Sequence, residues 1–298
     1  MATRDLVDLV LLGALWGASF LFIRIASPLL GPTVLAGMRV GLATVALGAL
    51  MLLLRQRWPW HKWRPLLLIA ITAVALPFIL FAWAALHLPS TYSALINTMY
   101  VVFGCLFGTW LKVDTLNARK LLGCLVGMLG IGLIVQLGPL KLTPTVLLAC
   151  AACLLAAACY GLATPLTKRA LTQLEPLPVA TFTHLGSFVL LIPLALPAVP
   201  QANFTLPALS IVALLGIVTS GLAYWWCLRI MRHISSAAAL TPAFMIPIFG
   251  VLWGHLFLGE PVSLSMLAGA ALALIAVALI SELKFRWGSQ QGDAGATP

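Results

Sequence analysis

The sequence predicts an all-α integral membrane protein of ten transmembrane helices, built as two inverted five-helix repeats. Three observations carry this. Of the 298 residues, 62% are hydrophobic and only 8% are charged, against roughly 25% charged in soluble domains. The charges fall in short clusters between apolar runs, each close to the ~20 residues that cross a bilayer. The two halves of the chain also align with one another at an offset near 145 positions.

The apolar runs place helices near 6–26, 31–54, 64–87, 90–111, 116–137, 143–170, 177–197, 205–231, 235–258 and 262–282. Runs this long and unbroken exclude barrel strands, and in lipid only helices or closed barrels satisfy the backbone. Leu6 to Ala26 carries no cleavage site and is expected to remain as the first helix. The sixth and eighth segments are long enough to tilt or protrude. The first repeat is expected over 1–138 and the second over 139–284. The tail 285–298, rich in Gly, Gln and Ala after Trp287, is expected to be disordered on the cytoplasmic side.

Orientation follows from Lys and Arg. One set of alternate loops carries Arg4; Arg55, Arg57, Lys62 and Arg64; Lys112, Arg119 and Lys120; Lys168 and Arg169; Arg229 and Arg232; Lys284 and Arg286. The opposite loops hold little beyond Lys141. Basic loops face the cytoplasm, so both termini are expected there. The net charge of +10 therefore marks topology. No basic surface runs along a folded face, and nucleic acid is set aside as a partner. The lipid bilayer and a small molecule remain as the expected partners, with no expectation for oligomeric state.

The six cysteines, including the Cys150-x-x-Cys153 pair, lie inside apolar stretches and suit packing better than a metal or redox site. No phosphate loop and no His/Cys/Asp cluster stands out, so no cofactor or metal is expected and ATP-driven transport is excluded for this chain alone.

The self-similarity is specific. Trp16-Gly17, Arg24, Ala26 and Pro32 match Tyr160-Gly161, Lys168, Ala170 and Pro176 at an offset of 144. Ser90, Phe103, Gly104, Gly108, Gly123 and Ile134 match Ser236, Phe249, Gly250, Gly254, Gly269 and Ile280 at 146. Five helices per half is an odd number, so the second half enters the membrane from the opposite side. Inverted repeats of this kind are typical of transporters, whose sites lie at the repeat interface.

Leu15-Trp16-Gly17-Ala18-Ser19-Phe20, Arg39, Pro247-Ile248-Phe249-Gly250 and the Leu258-Gly259-Glu260-Pro261 turn, in this order, resemble the drug/metabolite transporter superfamily and its EamA-type ten-helix members. Within that group the chain looks most like the bacterial YddG-type amino-acid exporters. The resemblance implies a multi-pass protein of the bacterial inner membrane that is not an enzyme. The first half departs from the pattern: its turn reads Leu111-Lys112-Val113-Asp114-Thr115, and Val101 stands where the second half has Pro247.

Candidate substrate contacts follow from depth and pairing. Ser93, Asn97, Tyr100, Gly104 and Gly108 recur on one face of the fourth helix, where an amide needs protein or a wet cavity as neighbour. The face reads either as cavity wall or as interhelical packing. Trp16 pairs with Tyr160 and Phe78 with Tyr224 across the pseudo-two-fold, and Phe81 and Trp225 lie at similar depth. Pro77, Pro165, Pro242 and Pro247 interrupt helices and are candidates for gating or for simple kinks. Arg39 is an intramembrane ionisable group, expected to bind a carboxylate or to tie helices together. His184 is the one candidate proton site. Glu260 is expected at an outer turn, capping the last helix if it has no other role.

With these residues, the resemblance implies export of neutral amino acids, aromatic ones included, or similar metabolites by alternating access, as uniport or exchange. A nucleotide-sugar, sugar-phosphate or drug carrier of the same fold is the alternative, and a lipid-modifying membrane enzyme or scaffold is the alternative of another class.

Overall fold

The computed structural model describes residues 3–112, 115–137, 140–232 and 241–280, and every regular element among them is helical. The turn residue Asp114, the repeat match Ser236 and the tail 285–298 lie outside this set. The helices are α1 (Thr3–Leu30), α2 (Pro32–Leu53), α3 (Trp60–Ala84), α4 (Ser90–Trp110), α5 (Ala118–Leu137), α6 (Pro144–Leu171), α7 (Pro176–Gln201), α8 (Leu206–Met231), α9 (Thr241–Leu258) and α10 (Leu264–Ile280).

Among the described residues eight helices are long and apolar enough to cross a membrane, and Pro242–Leu258 and Leu264–Ile280 are shorter apolar helices. This is a multi-pass, all-α membrane protein. The first helix runs further than its apolar stretch suggests. It ends at Gly31, whose φ of 74° takes the left-handed turn that glycine tolerates. Pro32 then opens α2, where its missing N–H costs nothing.

Three helices are irregular in mid-span. Residues Ile71–Ala75 of α3 form a π-helical segment, and Pro77 follows with no N–H to return to the previous turn. Residues Leu214–Leu222 of α8 form another, at positions that correspond to the first under the 146-residue offset. The fourth helix breaks at Thr98, between Ser90–Asn97 and Met99–Trp110. There the Thr98 hydroxyl donates to the Leu95 carbonyl at 2.7 Å. The single continuous face expected for the fourth helix is therefore divided.

The packing is pseudo-symmetric. Helix α1 packs on α9 as α6 packs on α4, α3 covers α6 and α7 as α8 covers α1 and α2, and α2–α7, α4–α9 and α5–α10 pair directly. Exchanging the halves maps this set onto itself. The matched glycines show it at atomic scale. A Cβ on Gly17 would lie 2.8 Å from the Phe249 Cβ, and one on Gly161 would lie 2.6 Å from the Phe103 Cβ. Gly123 abuts Ile280 and Gly269 abuts Ile134 in the same reciprocal fashion. Only small residues let these backbones approach so closely.

Glu260 corrects one expectation. It does not cap the last helix, where the Ser263 hydroxyl accepts the Met266 N–H at 3.2 Å. Instead its carboxylate accepts the Ser90 N–H at 2.6 Å and the Thr91 N–H at 2.9 Å. Gly259, at φ 62°, turns the chain after α9, and the buried Glu260 closes onto the N-terminus of α4, where orphan N–H groups and the helix dipole favour an anion.

Candidate functional site

Both π segments border one central cavity of about 230 Å³, walled by α1, α2, α3, α4, α6, α7, α8 and α9. π turns widen a helix and recur at functional sites. Here Ala73 and Val74 from α3 and their repeat equivalents Thr219 and Ser220 from α8 all reach the lining. Among the sequence-singled residues, Trp16, Arg39, Phe78, Asn97, Tyr100, Tyr160, His184, Tyr224 and Pro242 line it together.

Arg39 dominates its electrostatics. The side chain is 6% exposed, with Cζ 3.8 Å from the centre of the Phe78 ring. Its Nε donates to the Ser220 hydroxyl at 2.6 Å, which ties α2 to the π segment of α8. The guanidinium thus has one face against an aromatic ring and one edge bond. Among the described residues no carboxylate lines the cavity, and the ion pair found there, Arg232 with Glu175 at 2.5 Å, borders a separate hollow. A buried cation with aromatic and hydroxyl neighbours but no counter-ion is costly.

His184 approaches from α7. Its Nδ1 lies 2.9 Å from the Ala180 carbonyl oxygen, while Nε2 is buried with no partner. Its ring meets Tyr224 edge to face at 5.3 Å. Asn97 ends the first half of α4, and its Oδ1 is likewise buried and unpaired. Trp16 donates from Nε1 to the Thr219 carbonyl at 3.1 Å, closing α1 onto α8. Phe20 packs against Phe81 at 5.2 Å, and Phe81 stacks on Tyr160 at 6.1 Å.

Other candidates sit elsewhere. Ser93 is buried against α6, where the Cys153 thiol donates to its hydroxyl at 3.7 Å. Trp225 borders the separate hollow with Glu175, Arg229 and Arg232, its ring 5.2 Å from the Arg229 Cζ. Pro77, Pro165 and Pro247 lie in α3, α6 and α9 off the lining, whereas Pro242 borders the cavity from the first turn of α9. Ser19, Thr164, Lys168, Thr219 and Ser220 line it without having been singled out. Under the repeat offset Thr219 and Ser220 fall opposite Ala73 and Val74, which the sequence did not mark, and Lys168 falls opposite Arg24.

The profile of the EamA-like transporter family matches residues 7–136 and again residues 147–282. The chain belongs to the EamA-like transporter family. It is accordingly a membrane transporter of small molecules and not an enzyme, which sets aside the lipid-modifying alternative. An uncharacterized transporter of Archaeoglobus fulgidus is 21% identical over 276 residues, 92% of this chain and 97% of that protein. A probable terminal-alkyne amino-acid exporter of Streptantibioticus cattleyicolor is 26% identical over 278 residues, 92% of each. A solved crystal structure shares the fold, with a TM-score of 0.69 at 17% identity, over 94% of this chain and 99% of that one.

Proposed function

We propose that this EamA-type transporter exports amino acids, or small metabolites that share their carboxylate and apolar side chain. The observation that carries this is Arg39: a buried guanidinium at the cavity wall, stacked on Phe78 and held by Ser220, with no carboxylate among the described lining residues. Its planar fork suits a carboxylate, and Phe78, Phe81, Trp16 and the tyrosines offer surface to an apolar side chain. The amino-acid exporter among its relatives points the same way and agrees with a YddG-type role.

Transport by alternating access through ten spans, arranged as inverted repeats over 1–138 and 139–284, is supported by the reciprocal glycine contacts and the twofold match of the family profile. The lining runs to Lys168 and Met231 at the C-terminal ends of α6 and α8, the side that the basic loops assign to the cytoplasm. On α1 it stops at Ile23, beyond which the Arg24 guanidinium donates to the Ala85 carbonyl. That geometry fits an inward-facing state in a bacterial inner membrane with both termini cytoplasmic. With no acidic residue among the described lining residues, uniport or exchange is favoured over cation coupling. A nucleotide sugar is disfavoured by size, since small-molecule pockets run about 300–1,000 Å³ and this cavity falls below that range.

The test is counterflow in proteoliposomes with L-phenylalanine and 2-phenylethylamine, with and without an imposed proton gradient. Arg39→Gln removes the charge, and a charge-assisted hydrogen bond contributes about 1.5–3 kcal/mol. The variant should therefore raise half-saturation for phenylalanine about tenfold or more and leave the amine unchanged, with little effect of the gradient. Equal loss for both solutes, or a wild-type protein that carries neither, refutes the assignment.

A further inference from the structure

The polar groups around the cavity are sorted by what they still offer. A carbonyl oxygen only accepts, so the His184 Nδ1 that lies 2.9 Å from the Ala180 carbonyl must carry the proton. In the neutral ring Nε2 is then a bare lone pair, and it is buried without a partner on a side chain 1% exposed. Three of the lining hydroxyls are committed in the same sense. Thr164 donates to the Tyr160 carbonyl at 2.9 Å, Thr219 to the Leu215 carbonyl at 2.8 Å and Ser19 to the Leu15 carbonyl at 3.2 Å. What each has left for a ligand is an acceptor. The Trp16 donor is likewise taken by the Thr219 carbonyl.

Against these acceptors stands the Arg39 guanidinium, whose Nε is engaged by Ser220. Arg39 and His184 occupy near-equivalent places on the paired helices α2 and α7, seven and eight residues after Pro32 and Pro176 open them. The two repeats therefore present a cationic donor and a neutral acceptor to one cavity from corresponding depths.

We infer that His184 Nε2 is the subsite for a substrate ammonium group, which makes the cavity selective for zwitterions over plain carboxylates. The inference rests on the proposed role of Arg39, which would hold the carboxylate of the same molecule. An ammonium donates three hydrogen bonds and accepts none, so it matches His184 Nε2 and the committed hydroxyls, while a carboxylate has nothing to give those acceptors. A buried acceptor left unpaired carries a desolvation penalty, which a bound ammonium relieves and a des-amino analogue does not.

The test is equilibrium binding of labelled L-phenylalanine to the purified full chain, with 3-phenylpropionate and 2-phenylethylamine as competitors. Wild type should prefer phenylalanine to 3-phenylpropionate by at least tenfold, the factor that 1.4 kcal/mol carries. His184→Leu should weaken phenylalanine about tenfold and leave 3-phenylpropionate unchanged. His184→Gln, whose amide oxygen reaches near the position of Nε2, should restore most of the preference. If wild type binds 3-phenylpropionate as tightly as phenylalanine, the ammonium subsite is wrong and the Arg39 assignment stands. If 2-phenylethylamine binds as tightly as phenylalanine, the Arg39 assignment fails. The wild-type comparison decides the matter even where His184→Leu does not fold, and equal weakening of both acids in a folded His184→Leu overturns the inference.

Discussion

Glu260→Gln isolates one buried charge at a helix terminus. The carboxylate accepts the Ser90 N–H at 2.6 Å and the Thr91 N–H at 2.9 Å, joining the turn after α9 to the start of α4. Glutamine keeps the shape and one acceptor oxygen. Its other terminus is an NH₂ group, which must point at one of the two N–H donors or turn away. One charge-assisted bond is lost, at about 1.5–3 kcal/mol, together with a dipole contribution of about 0.3–1 kcal/mol. The sum is about 2–4 kcal/mol. In a chain of this size 1 kcal/mol moves Tm by about 2–4 °C, so a fall of about 4–16 °C is expected. Tryptophan fluorescence during thermal unfolding in detergent measures it. Glu175→Gln is the control, because its bridge to Arg232 is largely exposed and such pairs contribute about 0–1 kcal/mol. If both variants melt within about 2 °C of wild type, the latch at α4 contributes no stability and the reasoning fails.

Further outcomes follow from packing and charge. Gly161→Ala places a Cβ 2.6 Å from the Phe103 Cβ and 2.7 Å from the Gly104 nitrogen, so α4 and α6 must part. Folded yield and Tm should drop, by more than for Gly48→Ala, whose new Cβ meets nothing within 4 Å and should be neutral or slightly stabilising. Reporter tags at the N-terminus and after residue 288 should both read cytoplasmic; opposite answers would defeat the inverted-repeat arrangement as well.

The sequence made the spans legible because charge and hydropathy act on whole helices, and because lipid forces every polar side chain inward. Arg39, His184, Asn97 and Tyr100 reach the cavity for that reason. Trp16, Tyr160, Phe78 and Tyr224 reach it because repeat-related positions near a two-fold axis converge. Ser93 shows where such reasoning stops. Its spacing from Asn97 implies a shared face, yet it turns toward Cys153 of α6, and the break at Thr98 ends the regular phase that the spacing assumes. Trp225 fails differently: it is one residue, about 100° of helix, beyond Tyr224 and faces the neighbouring hollow. The π segment of α8 gives no sign comparable to Pro77, since Ile217-Val218-Thr219-Ser220 reads as an ordinary apolar turn. Ser220 was therefore invisible until its bond to Arg39 was seen. The role of Glu260 required knowing that α4 begins beside the turn after α9, a contact between residues 170 positions apart.

The repeats share a frame but not a lining. Phe20, Ile23, Ala73, Val74 and Phe78 of the first half correspond to Thr164, Thr167, Thr219, Ser220 and Tyr224 of the second, and all ten border the cavity. Every exchange replaces an apolar group with a hydroxyl. The lining is thus unequal at these five pairs, and unequal in the reverse sense where Ser19 and Tyr100 stand opposite Ala163 and Ile246, although the backbone segments that carry them, π turns included, are equivalent. In the alternating-access cycle proposed above, inverted repeats would interconvert the inward and outward states by swapping the conformations of the two halves. A symmetric lining would present a substrate with the same surroundings in both states, and a ligand with equal affinity for two states shifts neither. The hydroxyl substitutions break that equality. A solute with one polar and one apolar end then meets different contacts before and after the swap, so the occupied cavity need not share the resting preference of the empty one.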